Sequence, residues 1–164
     1  GRLEQKRRHY NIENIDAVGL TRAVFERFQE YLNRTELQTS FISEVENCEC
    51  ELDRDAFAQV LLNLLDNAVK YGDSGGVIEV VMRCSQTVCE IDVRDNGPGV
   101  PKSHRRRIFK RFHRVDDSLT ADKPGSGLGL SISLKLMHGM GGDLRYAERP
   151  GGGACFQIII QRSG

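Results

Sequence analysis

The chain has 164 residues, enough for one domain with a sizeable core. Lysine plus arginine and aspartate plus glutamate both total 23, so no bulk field draws in nucleic acid or an acidic membrane surface. No apolar run approaches the roughly 20 residues that span a bilayer and no signal peptide is visible, so neither nucleic acid nor membrane is an expected partner of this stretch.

Residues 1–15 are polar and without a clear period, and read as a linker ahead of a domain at 16–164. Asp16 is placed to cap a helix whose stripe is Val18, Thr21, Val24, Phe25, Phe28 and Leu32. Residues 40–45 alternate as a short strand does. Cysteines stand at 48, 50, 84, 89 and 155, odd in number and without C-x-x-C spacing. That pattern argues against a disulfide framework or a zinc site and fits a reducing cytoplasm. Cys48 and Cys50 can share one strand face, as small half-buried residues.

Asp53 then caps a second helix, with Phe57, Val60, Leu61, Leu64, Leu65 and Ala68 as one broad apolar face. Gln59, Asn63, Asn67 and Lys70 recur on the opposite face. Asparagine is a poor helix former, so two of them one turn apart are an odd choice for a solvated face. Two readings stand for this row: an ordinary wet face, or amides aimed at a polar ligand. The helix ends near Gly72, and 73–76 form a loop.

A hairpin follows. Val77–Cys84 sets Ile78, Val80, Met82 and Cys84 on one face, and Val88–Arg94 sets Cys89, Ile91 and Val93 on one face and Glu90, Asp92 and Arg94 on the other. Asp95 has the parity of the buried set. A carboxylate there is costly without a partner; alternatively the strand ends at Val93 and Asp95 starts an Asx turn. Gly97 and Gly99 let backbone approach a ligand closely, or simply make turns. Residues 104–112 read as a short basic helix with Ile108, Phe109 and Phe112 on its apolar side, and 113–126 as a mobile loop.

The run 125–130 (Gly-Ser-Gly-Leu-Gly-Leu) opens a helix with Leu130, Leu134, Leu136 and Met137 inward. Free N–H groups and the positive dipole end meet there, which suits phosphate. Gly141 and Gly142 break this helix, while an additional glycine in the 137–142 run has no sequence-level explanation. Strands at 144–147 and 154–161 close the chain, with Phe156, Ile158 and Ile160 on one face. The order predicts an α+β two-layer sandwich, a mixed sheet covered on one face by helices.

Single glycine-rich stretches identify little. The chain has no G-K-[ST] and no H-R-D or D-F-G, so it is neither a P-loop protein nor a eukaryotic-type protein kinase. The ordered combination is specific. Asn63–Tyr71 resembles the N box of sensor histidine kinases, 95–99 (Asp-Asn-Gly-Pro-Gly) their G1 box, 108–114 (Ile-Phe-Lys-Arg-Phe-His-Arg) their F box, and 125–130 their G2 box. The resemblance covers roughly residues 15–162, and is to the catalytic ATP-binding domain of that family, within the superfamily that includes gyrase and the MutL-type ATPases.

The resemblance implies a Bergerat-type ATP-binding fold that takes ATP and Mg²⁺ in the cytoplasm. It implies Asn67 as the Mg²⁺ ligand, Asn63 as support for the metal shell or a phosphate, and Lys70 as a point charge on phosphate. Tyr71 packs near the adenine or ribose, and Phe109 belongs to the same cofactor-binding set. Asp95 accepts a hydrogen bond from the adenine amine, with Gly97 and Gly99 against the base. Gly125, Gly127, Leu128 and Gly129 wrap the phosphates; Arg114 contacts the γ-phosphate, with Arg111 the weaker candidate.

Departures from the family pattern narrow the chemistry. Hydrolytic members carry a glutamate base where this chain has Asn63, which has no basic lone pair at neutral pH. Transfer to an acceptor is therefore favoured over hydrolysis, and over the readings of an ATP-driven clamp or an anti-sigma-type serine kinase. A non-catalytic nucleotide-binding module is the remaining alternative, disfavoured by the intact motifs. None of His9, His104, His113 and His138 precedes the acidic residue expected after a phosphoacceptor. The acceptor is expected upstream, on a helical dimerisation domain joined through residues 1–15, with a response regulator as the downstream partner.

Overall fold

The computed structural model describes residues 9–32, 37–71, 76–110, 129–149 and 151–164. Two short strands, β1 (Glu13–Asp16) and β3 (Glu49–Leu52), pair antiparallel with Ile15 opposite Cys50. The main sheet begins with β2 (Gln38–Ser43), which runs parallel to β4 (Val77–Cys84). Antiparallel pairing then continues through β5 (Val88–Asp95), β7 (Ala154–Gln161) and β6 (Asp143–Glu148), giving the order β2-β4-β5-β7-β6. Helices α1 (Ala17–Tyr31), α2 (Arg54–Tyr71) and α3 (Gly129–Gly139) cover one face of it. The expected α+β architecture with a mixed sheet is thus the observed one.

Alternation along the strands makes the core. Val80, Val93 and Phe156 stand in one row across β4, β5 and β7, and Met82, Ile91 and Ile158 in the next; all are buried. Each such side chain contributes about 1.5–3 kcal/mol when fully removed from water. Phe57, Leu61, Leu64 and Leu65 of α2 supply the opposing layer. The outer face of the sheet is polar, as its parity predicts, but Asp92 is only 2% exposed there. The Arg94 and Arg83 guanidiniums lie over it at 2.9 and 3.2 Å, and Arg83 also reaches Glu90 at 3.0 Å.

Both predicted caps form, and each does a second task. Asp16 accepts from the Val18 and Gly19 N–H groups, and its Oδ1 also accepts from the Cys48 N–H at 2.9 Å. Asp53 Oδ1 accepts from the Ala56 N–H and Oδ2 from the Asn11 N–H, both at 2.9 Å. Residues 10–16 are therefore packed on the domain. Tyr10 lies over α3, and a Cβ on Gly139 would sit 2.1 Å from its hydroxyl oxygen, the movable end of that side chain.

Two elements differ from expectation. The β1–β3 ribbon falls in stretches too short for a period to register, although Cys50 and Leu52 do alternate with exposed Glu49 and Glu51. The basic stretch is not an α-helix: a 3₁₀ turn at Lys102–His104 runs into further turns. Bonds of i to i+3 type, Arg107 N–H to His104 O and Lys110 N–H to Arg107 O, wind it tightly enough to bury Ile108.

Removing the Asp53 carboxylate deprives two backbone N–H groups of their acceptor. Asp53→Ala should cost about 2 kcal/mol in urea unfolding followed by circular dichroism, with an unchanged m value. A loss below about 0.5 kcal/mol would contradict the double role.

Candidate nucleotide site

β5 runs to Asp95, so this carboxylate completes the inner row begun by Cys89, Ile91 and Val93, and it is 7% exposed. Its Oδ1 accepts from the Gly97 N–H at 2.8 Å and from the Ala154 N–H at 3.3 Å. The two sequence readings of Asp95 are both present: an inner-face strand residue, and the acceptor of a bond from two residues on. The first N–H belongs to the loop leaving β5 and the second to the start of β7, so the carboxylate is fixed in orientation by the sheet itself.

That junction depends on Gly153. Its φ is +104°, and a Cβ there would lie 2.0 Å from the Asp95 carbonyl oxygen. Gly99, at φ +75°, sits in the same loop, facing the Gly153 carbonyl oxygen and the Tyr146 hydroxyl. The hydroxyl of Tyr146 accepts from the Val100 N–H at 3.0 Å. Arg105 covers the Tyr146 ring at 5.2 Å, and its Nε donates to the Val100 carbonyl at 2.9 Å. Asn96 turns outward and accepts from the Val77 N–H at 2.9 Å, tying the loop to β4. The result is a loop tied to β4, β6 and β7, with a buried carboxylate at its base.

Of the predicted row on α2, Asn63, Asn67 and Lys70 are half-buried and Gln59 is exposed; Tyr71, at the end of the helix, is half-buried. Asn63 Nδ2 donates to Ser133 Oγ on α3 at 3.1 Å, which commits one amide N–H and orients the side chain. Ser133 is fully buried. Lys70 Nζ pairs with Asp66 at 2.9 Å, one turn back, with both side chains partly exposed. Such an i, i+4 pair contributes about 0.3–0.5 kcal/mol, so it yields readily to a stronger anion. Phe109 stacks edge-to-face on Phe156 at 6.2 Å, so its ring belongs to the packing of β7. Gly129 is the first residue of α3 and is exposed. Arg111, Arg114, Gly125, Gly127, Leu128 and the 113–126 loop lie outside the described residues.

A groove of about 440 Å³ between α1 and α2, lined by Phe28, Tyr31, Ala58 and Leu62 among others, takes in only Asn63 of the predicted set. Arg27 and Asp66 also line it, and it does not contain Asp95. Ser133, Tyr146 and Gly153 escaped the sequence reading. The glycine run at 151–153 ahead of β7 was the available signal for Gly153; nothing in the sequence pairs Ser133 with Asn63.

Comparison with known proteins agrees with this geometry. The family model described as "Histidine kinase-, DNA gyrase B-, and HSP90-like ATPase" matches residues 52–164. The chain is 34% identical over 163 residues to the adaptive-response sensory kinase SasA of Prochlorococcus marinus (strain MIT 9303), covering 94% of this chain and 43% of that protein. Across the curated relatives with the strongest matches, the chain spans from 11% to 43% of their length. Among solved structures it is similar to the nucleotide-free catalytic domain of histidine kinase ThkA, with a TM-score of 0.81 and 26% identity over 94% of this chain and 99% of that one. Full-length ShkA in complex with AMPPNP gives a TM-score of 0.79 and 26% identity, over 96% of this chain and 33% of that one.

The close approach at residue 153 predicts a contrast between neighbouring glycines. Gly153→Ala should destabilise the domain by about 3 kcal/mol, combining a positive φ with a clash against backbone. Gly151→Ala, at φ +88° but with nothing within 4 Å of an added Cβ, should cost about 1 kcal/mol. Thermal unfolding of both variants measures this, and equal losses would contradict it.

Proposed function

We propose that this chain, which belongs to the histidine kinase-, DNA gyrase B- and HSP90-like ATPase family, binds Mg²⁺–ATP and presents the γ-phosphate to a histidine on a separate helical domain. The observation that carries the reading is Asp95: a buried carboxylate, fixed by two backbone N–H groups, at the base of a glycine loop. A fixed acceptor suits the exocyclic amine of adenine and repels the carbonyl that guanine carries at the same ring position.

The donor set of α2 fits the other end of the ligand. Asn67 offers a neutral amide oxygen, the kind of hard donor that a Mg²⁺ ion with several retained waters accepts. Asn63, oriented by Ser133, adds a second amide oxygen one turn earlier. Lys70 leaves Asp66 for phosphate, and Tyr71 flanks the ribose or base. When bound, Mg²⁺–ATP supplies the phosphoryl group and the charge neutralisation that its transfer needs. Arg114 and Arg111, with Gly125, Gly127, Leu128 and Gly129, complete the phosphate contacts in this reading, on the resemblance of their motifs alone.

What the protein's own residues then do is position and exclude. Asn63 cannot take a proton from water, so hydrolysis has no base there. A neutral imidazole brings its own nucleophilic nitrogen and needs none. Among the described histidines, His138 sits beside Asp143 at 3.1 Å, His104 stands in the turn that follows Pro101, and His9, the first described residue, is exposed. None of the three precedes an acidic residue. We therefore place the acceptor on a helical dimerisation domain upstream of the domain at 16–164, with a response regulator as the next recipient and a cytoplasmic setting. No helix among the described residues is long and apolar enough to cross a membrane.

Separated from the acceptor helices, the domain loses the pre-positioning that can lower a barrier by about 7–11 kcal/mol. Incubated with γ-labelled ATP, this chain alone should stay unlabelled, while an added helical segment bearing the parent's histidine should gain acid-labile, base-stable label. Stoichiometric labelling of the isolated chain at His9, His104, His113 or His138 would overturn the assignment.

A further inference from the structure

Four of the five cysteines converge at the end of the sheet remote from Asp95. Cys48 and Cys50 share one face of the strand edge at β3 and are 1% and 0% exposed. Cys84 and Cys89 are register partners across the β4–β5 hairpin; Cys89 is fully buried and Cys84 half-buried. The Sγ atoms of Cys48 and Cys50 lie 3.8 Å apart, those of Cys48 and Cys84 2.7 Å apart, and those of Cys48, Cys50 and Cys89 all within 4.8 Å of one another. The spacing rule for zinc sites misses this arrangement, because a C-x-C on a strand and a C-x₄-C across a hairpin meet in space.

We infer that Cys48, Cys50, Cys84 and Cys89 form a tetrathiolate site for a soft cation of Zn²⁺ type. Thiolate sulfur selects such ions, and a closed four-sulfur set is the structural form of a zinc site. With Zn–S bonds of about 2.3 Å, the edge of the sulfur tetrahedron is about 3.8 Å, which the Cys48–Cys50 pair already matches. Cys84, the half-buried member, stands 2.7 Å from Cys48 but outside the trio that lies within 4.8 Å, so its side chain must turn from Cys48 toward Cys50 and Cys89 to complete the set. A Cys48–Cys84 disulfide would use two of these sulfurs and give no account of why Cys50 and Cys89 join them.

Binding replaces each thiol proton by a metal–sulfur bond and releases the protons to solvent. Arg162 is bridged to Cys50 through the backbone, and its guanidinium donates to the Ser85 carbonyl at 2.6 Å, beside Cys84. It supplies positive charge next to a site that four thiolates and Zn²⁺ would leave anionic. The site would fasten the β1–β3 ribbon to the hairpin. It would not touch nucleotide, since Asp95 stands six positions beyond Cys89, about 20 Å along β5.

The test is an anaerobic titration of the whole chain with Co²⁺ and then Zn²⁺, in a non-thiol reductant. One equivalent of Co²⁺ should give a thiolate-to-cobalt charge-transfer band with intense tetrahedral d–d bands, and Zn²⁺ should displace it. Cys84→Ser, at the half-exposed position, should lower the charge-transfer intensity by about a quarter and weaken affinity beyond the roughly 10–100-fold seen for outer-shell partners. Cys155→Ser is the control: Cys155 lies on the outer face of β7 opposite Arg94, and its loss should change nothing. ATP affinity should be the same with and without metal. Absence of the charge-transfer band, binding of Cu(I) without Zn²⁺ or Co²⁺, or equal effects of the Cys84 and Cys155 substitutions would each overturn the site.

Discussion

The pair of backbone bonds onto Asp95 Oδ1 sets the shape of everything around it. One comes from the loop that leaves β5, the other from the start of β7, so a single carboxylate oxygen joins two strands and a loop. Burying it would be costly without those partners. The glycine at 153 follows from the same constraint, because any side chain there would strike the Asp95 carbonyl. The Tyr146 and Arg105 contacts then hold the far side of the loop. A carboxylate so restrained cannot reorient to suit different bases, and that restraint is the physical origin of selectivity in this account.

β5 also gives the domain two chemically different ends. One end carries Asp95 and its glycine loop. The other carries Cys89 beside the ribbon and three further thiols. Between them the strand is apolar inward and ion-paired outward, with Asp92 held between Arg83 and Arg94. The inward row fastens helices to the sheet, while the outward row keeps a large sheet face solvated. The side chains proposed to meet ligands stand at strand ends, in loops and on the half-buried row of α2, where they do not interrupt the core.

Much of this was legible before the structure. Period-2 alternation located β4, β5 and β7 to within a residue, and helical spacing located the buried faces of α1 and α2. Parity alone picked Asp95 as an inner-face carboxylate. The β1–β3 ribbon was not legible, since four residues contain only two alternations and their burial comes from neighbours distant in sequence. The basic segment misled because Ile108, Phe109 and Phe112 follow a helical spacing while the described backbone there is wound into tight turns. Ser133 and Tyr146 carried no local signal, because what they do depends on a partner some 46 to 70 positions away. The thiol cluster was hidden for the same reason: its members meet only once β3 lies against the hairpin.

The central claim is that Asp95 reads the amine of adenine, and a chemical double-mutant cycle tests it directly. Calorimetric affinities of the wild-type chain and of Asp95→Ala would be compared for ATP and for purine riboside triphosphate, which differs from ATP only in lacking the exocyclic amine. The account predicts that removing the amine costs the wild-type chain about 10–100-fold, the worth of a charged hydrogen bond, and costs Asp95→Ala almost nothing. Equal losses in the two proteins, with the variant folded by circular dichroism, would contradict it.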